Sequence, residues 1–149
     1  MPDLWRISDH RTLNGQGGIE FSARWNTAGR PLVYLAGSPA GAMLEVLVHL
    51  EVEPDDLPDA YTLLQIVVPG SAAIEDLVVP DAPDWKSDVA LTRGLGDAWL
   101  MTTNAPLARV PSSIMPETWN YLLNPLHPDA QQIVIANATA AYFDWRLFR

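Results

Sequence analysis

Cysteine is absent from all 149 residues. This excludes a disulfide framework, a Cys-ligated zinc or iron–sulfur centre and a thiol nucleophile, and it fits a reducing compartment. Basic residues are scarce as well: nine Lys and Arg stand against eighteen Asp and Glu, for a net charge of −9. Such a surface repels phosphate backbones, so a nucleic-acid partner is not expected. No run of about eighteen apolar residues occurs. The start Met1-Pro2-Asp3-Leu4-Trp5-Arg6 lacks the basic and apolar segments of a signal peptide. A cytoplasmic protein without a membrane partner is the expectation. The three histidines, His10, His49 and His127, show no paired helical spacing, so no metal site is expected. No internal repeat or low-complexity tract is present.

Apolar residues make up 48% of the chain and charged ones 18%, enough for a core and for one domain spanning residues 1–149. Thirteen prolines and nine glycines cut the chain into short elements, which implies a mixed α/β or α+β domain. Strands are expected at Leu4–Ser8, Leu32–Ala36, Tyr61–Val68, Leu107–Val110 and Gln132–Ala136. The glycine-containing stretch from Asn14 to Gly29 reads as a loop and matches neither the dinucleotide fingerprint nor the P-loop. A helix is expected from Ser87 to Met101, weakened by Gly94 and Gly96. The clearest helix has Ser38 as N-cap and Pro39 at its first position, and runs to about Leu50. Ala40, Met43, Leu44, Leu47 and Val48 form its apolar stripe, expected to be buried. Glu45 lies roughly 130° from the centre of that stripe, with Gly41 and His49 on its own side. The acidic residues Glu51, Glu53, Asp55, Asp56, Asp59, Asp81 and Asp84 read as solvated loops.

Three polar residues stand where folding does not require them. Arg24, between Phe21 and Trp25, suits an anion, because restricted water strengthens a guanidinium contact; the alternative is a structural arginine on loop carbonyls. Glu45 is a candidate carboxylate or a solvated helix-face residue. Ser112, after Val110-Pro111, is a candidate ligand-binding hydroxyl or a turn cap. No nucleophile-elbow pattern surrounds it, which opposes a serine hydrolase.

Two longer segments carry more information than these single residues. Phe21-Ser-Ala-Arg24-Trp25-Asn26-Thr-Ala-Gly29 through Tyr34, followed by Ser38-Pro-Ala-Gly-Ala-Met-Leu-Glu45-Val-Leu-Val-His49, closely resembles the signature of RES-domain proteins. Val110-Pro111-Ser112-Ser-Ile-Met-Pro with Asn120-Tyr121-Leu-Leu-Asn124-Pro125-Leu-His127-Pro128 resembles the family's second signature. Leu4-Trp5-Arg6-Ile7 and Asp144-Trp-Arg146-Leu147 extend the likeness to both ends, whereas Asp76 to Trp85 carries nothing matched.

The resemblance implies several things. The fold would be of the diphtheria-toxin type of ADP-ribosyltransferase. The activity would be that of a toxin from a toxin–antitoxin pair that cleaves NAD⁺, passing ADP-ribose to a protein acceptor, to water or to phosphate. NAD⁺ would be the substrate, with no metal, and the partner an antitoxin carrying an Xre-like helix-turn-helix. Arg24, Glu45 and Ser112 would form the catalytic set. Arg24, Tyr34, Ser112, Arg6 and Asn26 would contact the dinucleotide. Cleaving the nicotinamide–ribose bond leaves positive charge on the ribose, which a carboxylate such as Glu45 stabilises. Arg24 would take the pyrophosphate, Tyr34 would stack on nicotinamide, and Ser112 would bond the carboxamide or a ribose oxygen. A rival reading is a non-catalytic interaction module using Trp119, Tyr121, Trp145 and Phe148.

Overall fold

A computed structural model describes residues 3–49, 56–81, 84–102 and 104–148. Among the described residues seven strands form one mixed sheet in the order β4-β5-β6-β2-β1-β3-β7. They are β1 (Asp3–Ile7), β2 (Val33–Ala36), β3 (Ala60–Val67), β4 (Ile74–Asp76), β5 (Leu107–Pro111), β6 (Trp119–Leu123) and β7 (Val134–Tyr142). Only β4 and β5 pair in parallel; the remaining neighbours are antiparallel. Helices α1 (Gln16–Glu20), α2 (Pro39–His49) and α3 (Val89–Leu100) lie between strands.

The two-residue period of a strand sends alternate side chains to opposite faces, and here both faces are covered. Leu4, Val33, Leu35, Leu64, Ile66, Leu107 and Leu123 pack together on one face. Their neighbours Ala108, Val110 and Leu122 point to the other, where Trp25 from the 21–29 loop and Trp99 and Leu100 from α3 cover them. Both faces thus rest on named apolar contacts. Among the described residues no helix is long and apolar enough to cross a membrane, and no cluster of acidic and histidine side chains forms a metal site.

Several elements differ from their sequence expectation. The expected loop after Asn14 contains α1, which begins after Gly15 at φ 75°, a left-handed conformation that glycine adopts without steric cost. A side chain at Gly15 would also meet the backbone of Leu32 and the rings of Pro31 and Pro125. Strands β4 and β6 carry no strand expectation: β4 has only three residues, and β6 lies within the second signature. Strand β7 continues six residues past Ala136 because it is a sheet edge, exposed on most positions, where the alternation that marks a half-buried strand is not required. Ser38 does cap α2, its Oγ accepting the Gly41 N–H at 2.9 Å. Asp88 caps α3, accepting from the Leu91 N–H at 3.1 Å.

The expected buried stripe of α2 is corrected. Ala40 is exposed, Val48 is 52% exposed, and Met43, Leu44 and Leu47 are only half-buried. The face laid toward β1 and β2 is that of Gly41, Ala42 and Glu45. Small residues allow the helix to approach the sheet closely, and that approach turns Glu45 inward. Leu50, the expected end of this helix, and Glu51, Glu53 and Asp55 lie outside the described residues. Asp56, Asp59, Asp81 and Asp84 are exposed, as solvated loops require.

Candidate active site

A cavity of about 620 Å³ opens between α2 and the 21–29 loop, over β1, β2 and β6. Its wall includes Trp5, Ile7, Arg24, Tyr34, Glu45 and Asn120. Largely apolar walls with a few polar groups are the usual form of a small-molecule site.

Glu45 occupies one wall. The Asn120 Nδ2 donates to its Oε1 at 2.8 Å, and His49, one turn later, stands 3.9 Å from Oε2. Strand β6 places Asn120 on the same face as Leu122, so the amide reaches across to the helix. This positioning contact has no assigned role in the sequence reading, because β6 carried no strand expectation and the facing of Asn120 was therefore not legible. The Glu45 side chain keeps 31% of its exposure and lines the cavity.

Arg24 lines the same cavity from the 21–29 loop. Its Nη1 donates to the Lys86 carbonyl at 2.8 Å, which engages one of the guanidinium's five N–H donors. The backbone on either side of it is irregular, with a single bridge between Ala23 and Asn26, and side chains rather than a ladder satisfy it. Tyr34 belongs to this bracing: its hydroxyl accepts the Trp25 N–H at 3.1 Å and donates to Asn26 Oδ1 at 2.6 Å. Burial pushes the Tyr34 hydroxyl well above the ordinary phenol range, so it stays a neutral donor. Its ring lines the cavity while its hydroxyl is engaged by the loop.

The remaining expected residues are engaged by the protein itself. Asn26 is fully buried and is not part of the cavity wall; its Nδ2 donates to the Phe21 carbonyl at 3.1 Å. Ser112 is 4% exposed, and its Oγ accepts the N–H groups of Ile114 at 3.1 Å and Met115 at 3.3 Å. The hydroxyl caps the turn, and Ser113 and Ile114 line the cavity instead. Arg6 pairs with Leu64, a residue of the opposite core face. Its Nη1 accordingly donates to the Thr12 carbonyl at 3.2 Å, and the residue also borders the cavity. Burial lowers its pKa. Of the expected set, the fold brings Arg6, Arg24, Tyr34 and Glu45 to one cavity, with the Arg6 Nη1 held by the Thr12 carbonyl, and leaves Asn26 and Ser112 off its wall.

His127 is buried, and its Nδ1 accepts the Asp129 N–H at 3.0 Å, which caps a 3₁₀ turn at Pro128–Gln132. Its role is structural. Of the four aromatics of the rival interaction reading, Tyr121 packs against a core cluster and Phe148 stacks near Phe143, with ring centroids 6.1 Å apart. Trp119 and Trp145 are the exposed pair.

The RES domain family model matches residues 3–146. A relative from Pseudomonas putida named Toxin Res is 51% identical over 132 residues, covering 89% of this chain and 90% of its own. One from a Sphingobium species, named Prs ADP-ribosylating toxin, is 36% identical and spans 98% of this chain and 96% of its own. A Toxin Res from Yersinia enterocolitica is 35% identical, with 97% and 98% covered. With the cavity framed by the two segments that carried the resemblance, and with a match running nearly end to end, the chain belongs to the RES-domain family.

Proposed function

We propose that this protein is the toxin of a toxin–antitoxin pair and that it cleaves the nicotinamide–ribose bond of NAD⁺ in the cavity between Arg24 and Glu45. The observation that carries this reading is that a guanidinium and a carboxylate, from two separate elements, line one cavity. NAD⁺ has an anionic pyrophosphate and a cationic nicotinamide riboside, and a guanidinium fork and a carboxylate are the matching partners. The relative named as an ADP-ribosylating toxin supports the same chemistry.

In this mechanism Arg24 binds the pyrophosphate and fixes the dinucleotide along the cavity. The C1′–N bond breaks, its electron pair leaves with neutral nicotinamide, and positive charge develops on the ribose. Glu45, oriented by Asn120, stabilises that charge and holds a ribose hydroxyl. A nucleophile then bonds C1′ and releases its proton to solvent. It is a protein side chain in ADP-ribosyl transfer, and water or phosphate in NAD⁺ breakdown. The Tyr34 ring packs on the nicotinamide side, and Ser112 acts by shaping the turn that presents Ser113 and Ile114. We extend the family's reading to the whole of residues 1–149 as one RES domain of diphtheria-toxin type, working in the cytoplasm. Its partner is an Xre-like helix-turn-helix antitoxin that silences it by covering the cavity mouth.

The test is incubation of the purified protein with NAD⁺ labelled in its ADP-ribose, with and without cell lysate, following nicotinamide and the label together. Nicotinamide release with labelled protein means transfer, and release with free ADP-ribose or its phosphate means breakdown. No release under either condition overturns the proposal.

A further inference from the structure

We propose that Thr92 and Asp97 of α3 are positioning residues for Arg24, clamping the loop backbone at Arg24 itself and three residues after it so that the guanidinium is held ready at the cavity wall. This rests on Arg24 taking the pyrophosphate.

Among the described residues the loop joins no strand ladder beyond the Ala23–Asn26 bridge, and α3 satisfies it at four points. The Thr92 Oγ1 donates to the Arg24 carbonyl at 2.6 Å, and the Arg93 Nε donates to the Ala23 carbonyl at 2.7 Å. Farther along the loop, Asp97 accepts the Thr27 N–H at 2.8 Å and the Thr27 hydroxyl at 2.7 Å. These contacts join residues 68 to 70 positions apart, so only the tertiary fold assembles them. Gly96 lies between them, where a Cβ would overlap the Trp25 carbonyl; its lack of a side chain lets helix and loop touch.

The contacts are placed for positioning rather than for α3 itself. Thr92 also reaches the Val89 carbonyl within its own helix, but at 3.2 Å, so the shorter bond is the one to Arg24. Thr92 is fully buried, where a hydrogen bond counts more than at the surface and an unpaired carbonyl is costly. Neither Thr92 nor Asp97 borders the cavity, so each acts through the loop. An arginine side chain loses rotamer freedom when it binds, and a fixed backbone reduces what remains to be ordered.

The experiment is steady-state kinetics of nicotinamide release against NAD⁺ concentration for Thr92→Val, Thr92→Ser, Asp97→Ala, Arg24→Ala and the double variant Thr92→Val/Arg24→Ala. Thr92→Val and Asp97→Ala are expected to raise KM about tenfold with kcat within about twofold, the pattern of lost ground-state binding. Thr92→Ser keeps the hydroxyl and restores KM. With Arg24 already removed, Thr92→Val adds less than about twofold, because the two act on one interaction. Full multiplicative effects in the double variant, or a fall in kcat at unchanged KM, overturn the clamp while leaving Arg24 in place. An Arg24→Ala protein with wild-type KM overturns the anion-binding reading itself, and the clamp with it. If Thr92→Val fails to fold, Asp97→Ala and its double with Arg24→Ala decide in the same way, since Asp97 is only half-buried.

Discussion

The two walls of the cavity are built on opposite principles. Glu45 sits on a regular, capped helix whose backbone hydrogen bonds are internal, and it needs one amide from β6 to orient it. Arg24 sits on irregular backbone whose carbonyls and N–H groups are satisfied from α3 and β2, and its guanidinium donates to the Lys86 carbonyl. A helix supports its own geometry, so a change at Glu45 should register in chemistry alone. A braced loop borrows its geometry, so changes well away from Arg24 should reach the ligand.

The largest expected effect is on the helix wall. Glu45→Gln keeps the oxygen that accepts from Asn120 and removes the charge, so kcat for nicotinamide release should fall about 10²–10³-fold, roughly 3–4 kcal/mol. Thermal unfolding should be unchanged within about 0.5 kcal/mol, since no core contact is lost. A kcat near that of wild type would remove Glu45 from the chemistry.

On the loop wall, Gly96→Ala gains about 1 kcal/mol of helix propensity but forces a methyl into the Trp25 carbonyl. The overlap wins because the obstacle is backbone, and a net loss of about 1–2 kcal/mol is expected, with a raised KM for NAD⁺. Gly94 has open space around it, and Gly94→Ala should stabilise by up to about 1 kcal/mol. Equal melting temperatures for the two variants would refute the close approach.

Arg24→Lys preserves charge and loses the planar fork, so KM should rise about tenfold with the melting temperature intact. Calorimetric titration with NAD⁺ checks it, and an unchanged affinity would return Arg24 to a structural role on the Lys86 carbonyl.

The smallest effect concerns Tyr34→Phe, which removes two loop contacts and should cost about 1 kcal/mol near neutral pH. The folded-state pKa of Tyr34 is raised, chiefly by burial. Its contribution is therefore complete below the free phenol value of about 10 and is lost as pH rises beyond it toward the folded-state value. Melting curves between pH 8 and 11 (roughly the window around that phenol value) should steepen in alkali for wild type and flatten for Tyr34→Phe. Parallel curves would show that the hydroxyl ionises freely.

Local chemistry was readable at α2. Ser38 and Pro39 announce its start, and angular spacing sets Glu45 apart from the apolar stripe. Which face turned inward was not readable, because hydrophobicity favours the Met43, Leu44 and Leu47 side, while close approach over β1 and β2 selects Gly41 and Ala42. Strand β6 was hidden inside a signature rich in Asn and Pro. Gly96 appeared as a flaw in a helix, and only the carbonyl of Trp25 explains it. Ser112 read equally well as a ligand contact or as a turn cap, because a hydroxyl has the same donor and acceptors in either role, and Asn26, expected at the dinucleotide, is fully buried off the cavity wall.

By itself the sequence determined composition, charge, most element positions and the two segments whose order and spacing mark the family, since these rest on local propensity and on residue identity along the chain. The tertiary structure alone decided that Arg24 and Glu45 share a cavity, that Arg6 borders it with its Nη1 held by the Thr12 carbonyl, and that α3 braces the arginine loop. Those outcomes depend on strand pairing and on contacts about seventy residues apart, and a hydrogen bond closed over that distance leaves no periodic trace in the residues that make it.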